Sequence, residues 1–309
     1  MQAAARYVRS SYHVDRIVRF SPECPRLRRI KRVCWYCMAM IKALSLCCVL
    51  TALCMSRMSL VAASESSSTC CPVVELRQYT TNPGQRDALI ELYEDEFIET
   101  QESAGIALPG QFRVVGFPNK FDWLQGFSSM AARKNDFEAF YHGSAWKRYR
   151  KRVNSLLLDY GNVILLHPAH NGSGFAARSP RAPRGSREES RGVVVATIYY
   201  LRSYTGTQFD ELFENSIRSI VSADGSRVLA TFVTDHAPNN FPILPVRADV
   251  DLFVWFACYR SETAYELYAN ALSNDSRWWT VEGKLVLAQM YIPPEVDLLQ
   301  PTSRSLLRC

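Results

Sequence analysis

The feature that most constrains the fold is a repeat within the chain. Leu76-Arg77-Gln78-Tyr79-Thr80 returns as Leu201-Arg202-Ser203-Tyr204-Thr205. Each copy is followed by Gln-x-Asp-x-Leu-x-Glu, at Gln85, Asp87, Leu89 and Glu91 and again at Gln208, Asp210, Leu212 and Glu214. A chain that repeats itself builds one structural unit twice. The apolar pattern of the first copy predicts strand, helix, strand, strand, helix, strand. The strands fall at 73–80, 112–117, 121–128 and 162–167, and the helices at 85–103 and 131–141 with an extension over 145–158. The second copy predicts strands at 193–204, 227–234, 251–257 and 285–292, with a helix at 207–221. Pro168 stops the first copy and Pro293-Pro294 the second.

A β-α-β-β-α-β unit is a ferredoxin-like layer, an antiparallel sheet with helices on one face. Its other face must be covered, because each apolar side chain left in water forgoes roughly 1.5–3 kcal/mol. Two copies in one chain can cover each other. The expected fold is therefore α+β, with tandem ferredoxin-like repeats packed sheet to sheet as an intrachain pseudo-dimeric α/β barrel. The expected organisation is a leader over 1–64, a first repeat over 73–168, a flexible Gly-, Ser-, Pro- and Arg-rich linker over 169–192, a second repeat over 193–294, and a loosely attached tail over 295–309.

Charge and cysteine separate the leader from the body. Residues 1–64 hold eleven Lys or Arg and only Asp15 and Glu23 as acids, which leaves 25 basic against 28 acidic residues in 65–309. The body has no surplus of positive charge for nucleic acid. Six of ten cysteines precede residue 64, and Cys34-x-x-Cys37 lacks a second pair, which argues against a zinc or redox motif. Met38 to Ala63 reads as a signal peptide, with a charged start, an apolar run over 43–55 and small residues at Val61-Ala62-Ala63. Cleavage near Ala63 would export the protein to the periplasm or outside the cell. Residues 1–37 fit either a stretch upstream of the true start or an organelle transit peptide, and the latter would make the protein mitochondrial. The apolar run is too short for a transmembrane helix, so the mature protein is expected to have no integral span.

The motifs Val74-Glu75-Leu76-Arg77-Gln78-Tyr79-Thr80 and Pro83-Gly84, the acidic helix ending near Phe97, and Ala145-Trp146-Lys147 together resemble the NIPSNAP family. The resemblance is strongest over 73–168 and weaker over 193–293, where the Pro-Gly turn is missing. It implies a dimeric α/β-barrel fold. It implies no particular reaction: eukaryotic relatives are associated with mitochondria and vesicle traffic, and structural cousins include cofactor-independent monooxygenases and small-ligand-binding proteins.

Candidate site residues are few. In a strand Arg77 and Tyr79 share one face and Leu76 takes the other, as do Arg202, Tyr204 and Leu201. If the leucines face the helices, both Arg-Tyr pairs point between the sheets and line a chamber suited to a carboxylate or phenolate. The plainer alternative is that they bridge the sheets or sit at a rim as structural pairs. Trp146, the remaining ligand-binding candidate, recurs at Trp278 or Trp279, which fits core or rim packing better than a stacking platform. His142, beyond an aromatic helical stripe, is the one candidate acid or base; the plain reading is a helix-terminal histidine bonding a carbonyl. His167-x-x-His170 lacks a third ligand nearby, and several of the acidic run Glu91, Glu94, Asp95, Glu96 and Glu99 fall on a solvent face, which argues against a catalytic carboxylate cluster. No metal or cofactor is expected, and no phosphate-binding, dinucleotide, nucleophile-elbow or zinc-protease motif occurs. These observations favour an exported protein that binds a small organic molecule or a partner through the barrel. A cofactor-independent oxygenase or isomerase, or an organelle protein of vesicle traffic or mitochondrial quality control, are the alternatives.

Overall fold

A computed structural model describes residues 69–177, 180–202, 206–281 and 290–309. The leader, Tyr204 and most of the predicted strand 285–292 lie outside the described residues.

The first repeat runs β1 (Val73–Thr81), α1 (Arg86–Leu92), a π-helical turn (Tyr93–Phe97), α2 (Ile98–Ser103), β2 (Gln111–Val114), β3 (Lys120–Phe127), α3 (Met130–His142), α4 (Ser144–Leu156), the short β4 (Leu157–Asp159) and β5 (Val163–Pro168). The second runs β6 (Val193–Leu201), α5 (Gly206–Leu212), a second π turn (Phe213–Ile217), α6 (Arg218–Ala223), β7 (Arg227–Thr234), β8 (Asp251–Tyr259), α7 (Glu262–Asn274), α8 (Ser276–Val281) and β9 (Glu295–Pro301). Each α-hairpin starts the same way. The Ser129 hydroxyl accepts the Ala132 N–H at 3.0 Å, and the Ser261 hydroxyl accepts the Ala264 N–H at 3.1 Å.

Within each repeat the strands order as fourth, first, third, second, all antiparallel. The two sheets also join at their edges. The second strand of each repeat pairs with the last strand of the other, β2 with β9 and β5 with β7. Eight strands thus close into one antiparallel barrel, and no edge of the ring is left unpaired. The expected pseudo-dimeric α/β barrel is therefore the observed fold.

Three expectations are corrected. The strand that closes the second repeat is β9, at 295–301, beyond the predicted 285–292, most of which lies outside the described residues. Pro293-Pro294 precede it, and the acids Glu295 and Asp297 mask its inward face in the sequence, where Leu299 joins the interior core. The tail is accordingly not loose. Glu94 of the first π turn accepts the Ser303 hydroxyl at 2.6 Å and the Arg304 N–H at 2.8 Å, the Leu307 N–H donates to the Pro109 carbonyl at 2.8 Å, and Cys309 forms a disulfide with Cys258 of β8. Glu94 is buried for this reason, not part of a solvent face. The segment 169–192 is likewise fastened. Phe175 is buried in the barrel interior, and Arg181 donates to Glu102 at 2.7 Å and to the Leu108 carbonyl at 2.8 Å.

The barrel interior is a packed apolar core that includes Leu76, Phe112, Leu124, Ile164, Phe175, Ile198, Phe232, Val254 and Phe256. At one end it carries a polar layer. There Gln78 donates to Asp297 at 2.9 Å, Asn162 to Gln78 at 2.9 Å and Tyr200 to Glu295 at 3.0 Å, with Asp122 buried beside them. Burial, with Asp297 adding repulsion, lifts the Asp122 carboxyl well above its usual range; burial, with Glu295 adding repulsion, lifts Asp297 to about 6.

The repeat also has a different register from the one its sequence echo suggests. β6 begins 120 residues after β1 (Val193 against Val73), and the π turn recurs at the same interval (Phe213 against Tyr93). Arg77 sits opposite Trp123 and Thr197 opposite Trp255. Thr197 is therefore the counterpart of Arg77, whereas the echo Leu76/Leu201 is shifted by five further residues. An odd shift moves side chains to the opposite face of a strand. Leu76 packs in the barrel interior and Leu201 packs against the helices.

Candidate functional site

With Leu76 inside the barrel, Arg77 and Tyr79 project outward, between the sheet and the helices of the first repeat. The proposed polar chamber between the sheets is thus not formed, because apolar side chains from both sheets fill that space. The cavity lies one layer out. It measures about 430 Å³, and Arg77, Tyr79, His142 and Trp146 all line it. Four of the six predicted site residues are therefore brought together, though not where the strand-face reasoning put them. Arg202 lies beyond β6, exposed, and its Nε donates to the Met290 carbonyl at 2.6 Å. Tyr204 lies outside the described residues.

A buried ionic group supports the cavity floor. Glu75 accepts from Arg77 Nε at 2.7 Å and from Arg133 Nε at 2.5 Å. All three side chains are at most 1% exposed. One carboxylate thus faces two guanidiniums, and the group carries one positive charge in excess. Phe137 lies beneath both cations, its ring centre 5.5 Å from the Arg77 guanidinium carbon and 5.0 Å from that of Arg133. Arg133 Nη1 donates to Asn240 at 2.6 Å, and Arg133 Nη2 is buried without a hydrogen-bond partner among the described residues. Burial works against the charge on Arg77, but Glu75 beside it prevails and holds the guanidinium protonated.

Arg77 Nη1 donates to the Tyr79 hydroxyl oxygen at 2.5 Å. The tyrosine's lone pair is occupied while its own proton is available to another acceptor. Burial raises the Tyr79 pKa despite Arg77, so this hydroxyl stays protonated at neutral pH. Two further polar atoms on the cavity wall, Trp123 Nε1 and Gln125 Oε1, are buried with no hydrogen-bond partner among the described residues. The rest of the wall is mostly apolar, with aromatic rings from Tyr93, Phe97, Phe140, Tyr141 and Trp146 and aliphatic groups from Leu89, Val153, Leu157 and Leu244. Lys147 and Arg150 stand at its rim, and no Asp or Glu lines it among the described residues.

His142 lies at the end of α3, exposed, and its Nδ1 donates to the Glu138 carbonyl at 2.8 Å. In the neutral ring that contact leaves Nε2 as the acceptor. His167 and His170 diverge. His167 Nδ1 donates to the Pro168 carbonyl at 2.9 Å, while His170 Nδ1 meets Asp210 at 2.8 Å. Glu214 lies near the latter pair, but Arg218 occupies both of its oxygens at 2.6 and 2.7 Å.

Sequence reasoning missed Glu75, Arg133 and Gln125, and the loop 235–250. The loop joining β2 to β3 spans only 115–119, whereas its counterpart in the second repeat spans 235–250 and reaches across to the first repeat's cavity. Phe241 stacks on Tyr141 with centroids 5.7 Å apart, and Asn240, besides meeting Arg133, donates to the Met130 carbonyl at 2.5 Å. The excess length of this loop was the available signal.

The topology and this placement define a dimeric α/β barrel made within one chain, with a cavity between sheet and helices. Residues 74–169, which span the first repeat, match the NIPSNAP family model. Similar solved structures include a monooxygenase-like protein from Lactobacillus acidophilus NCFM, at 11% identity over 77% of this chain and 99% of that one, with a TM-score of 0.46. An anthrone oxidase-like protein is similar at 14% identity over 74% and 91%, with a TM-score of 0.41. A NIPSNAP family protein of unknown function from Agrobacterium tumefaciens str. C58 is similar at 25% identity over 35% and 91%, with a TM-score of 0.29. Comparison with curated proteins gives no match.

Proposed function

We propose that the first repeat binds a planar, largely apolar small molecule bearing an anionic or hydrogen-bond-accepting oxygen. One observation carries this reading: among the described residues, buried polar atoms without protein partners line a cavity rich in aromatic rings whose charged lining groups are cationic, at Arg77, Lys147 and Arg150. Native proteins rarely leave buried polar atoms unsatisfied, and such atoms in a cavity point to a bound group. The volume suits a ligand of drug size. In this reading Tyr79 donates to the ligand oxygen, Trp123 and Tyr141 flank the ring, and the guanidiniums supply a positive field. Titration with 2-naphthoate, followed by tryptophan fluorescence, tests it. Saturable quenching that weakens in Tyr79→Phe and is absent with neutral 2-methylnaphthalene supports the proposal; equal responses to both probes contradict it.

Turnover by an oxygenase- or isomerase-like mechanism is a second reading, favoured by one observation, that His142 lines the same cavity as Tyr79. There His142 Nε2 would take a proton from the ligand while Tyr79 and Arg77 steady the resulting oxyanion. Unchanged turnover of a bound substrate in His142→Ala removes this reading and leaves binding intact. Export is part of the proposal. The Cys258–Cys309 disulfide supports it, since such bonds persist in oxidising compartments. Mass spectrometry of the mature amino terminus tests it: a start near Ser64 supports export, and a terminus within 1–37 favours an organelle.

A further inference from the structure

Helix α4 carries Lys147, Arg148, Arg150, Lys151 and Arg152 within 144–156, and no acid. All five are exposed, and none forms an ion pair among the described residues. The remainder of the body is net acidic, so this concentration of charge is local. Val153 and Leu156 form the buried face of the helix. At helical spacing Lys147, Arg150, Lys151 and Asn154 form one stripe, and three of these four line the rim of the first cavity. Two exposed apolar residues share that rim, Tyr160 at 51% and Ile243 at 80% exposure.

From this juxtaposition we infer that the rim of the first cavity is a docking face for an anionic lipid surface. The cations of α4 meet the headgroups, and Ile243 and Tyr160 enter the boundary with the acyl chains. The charge selects an anionic partner. The exposed isoleucine selects lipid over nucleic acid, since a branched aliphatic side chain gains from acyl chains and offers nothing to a phosphate backbone. Among the described residues no helix is long and apolar enough to cross a membrane, so attachment here is peripheral. The inference does not depend on the ligand proposed above, although it would set the cavity mouth against the bilayer, where an amphiphilic ligand could enter.

Flotation of the full chain with phosphatidylcholine vesicles, with and without phosphatidylserine, tests the inference. The leader is common to all variants and cancels in the comparison. Phosphatidylserine should strengthen partitioning of the wild type, and concentrated salt should abolish the gain. Lys147→Gln combined with Lys151→Gln should weaken partitioning to anionic vesicles by about 25-fold, each cation near such a surface contributing roughly fivefold. Ile243→Ser should weaken it while preserving salt dependence. An unchanged thermal midpoint in each variant excludes misfolding as the cause. Equal partitioning of wild type and double variant overturns the inference, as does preferential retention of the wild type by polyuridylate with no gain from phosphatidylserine.

Discussion

The two repeats share a scaffold and differ in what lies between sheet and helices. The second repeat has a cavity of about 380 Å³ in the corresponding place, lined by Thr197, Tyr199, Trp255, Tyr259, Tyr265, Tyr268 and Trp278 among others, and by no charged residue among those described. The strand pairs put Val195 where the first repeat has Glu75, Thr197 where it has Arg77 and Ala257 where it has Gln125. The matching helix caps put Tyr265 at the place of Arg133, Asn274 at that of His142 and Trp278 at that of Trp146. Trp146 therefore belongs to the shared scaffold, and Glu75, Arg77 and Arg133 to the first repeat alone. A buried ion group is seldom the cheapest way to stabilise a core. That one repeat keeps it while the other packs Val, Thr and Tyr in its place indicates that the scaffold does not require it. The second repeat instead lends its 235–250 loop to cover the first repeat's cavity.

The largest test of this contrast is Glu75→Leu, which strands two buried guanidiniums. It should destabilise the fold by about 3–5 kcal/mol in urea unfolding, against about 2 kcal/mol or less for Val195→Ala at the counterpart position. Equal costs would break the comparison. Exchanging all three residues for their counterparts, Glu75→Val with Arg77→Thr and Arg133→Tyr, should restore most of that loss and abolish the naphthoate response.

Breaking the Cys258–Cys309 bond by Cys309→Ser should cost about 2–4 kcal/mol, since it frees the segment that carries β9. Reduction of the wild type should reproduce this loss.

A smaller effect concerns the end of the barrel where the repeats share their polar layer. Asp297 titrates near 6 when folded, above the ordinary carboxylate value, so the folded state holds its proton more tightly than the unfolded one. Its contribution to stability is complete below about pH 4 and is lost as pH rises through about 6. Asp297→Asn should therefore be more stable than the wild type at pH 8 by on the order of 2 kcal/mol, and the difference should shrink toward pH 4. The smallest effect is Tyr79→Phe, which should weaken naphthoate binding by about fivefold without a change in fold, the worth of one hydrogen bond.

The repeat, the strand order and the barrel were legible because apolar periodicity survives divergence. The site was only half legible. Arg77, Tyr79, His142 and Trp146 stood out by type, but their face could not be read from Leu76 alone, because both faces of β1 are buried and each mixes apolar with polar side chains. The Leu-Arg-x-Tyr echo misled for a related reason: similar residues recur at a spacing that the strands do not use. Arg133 was hidden within a helix and pairs with Glu75 only through the fold. β9 was hidden by Glu295 and Asp297, whose inward position is paired with Gln78 and Tyr200 from distant strands.

The central claim is that the functional space lies outside the barrel wall, in the first repeat only. A crystal structure of the protein soaked in 2-naphthoate tests it most directly. The account predicts the carboxylate beside Tyr79 and the ring between Trp123 and Tyr141, with the second cavity unoccupied by the probe. Naphthoate among Leu76, Phe232 and Phe256 inside the barrel, or equally in both repeats, would contradict it.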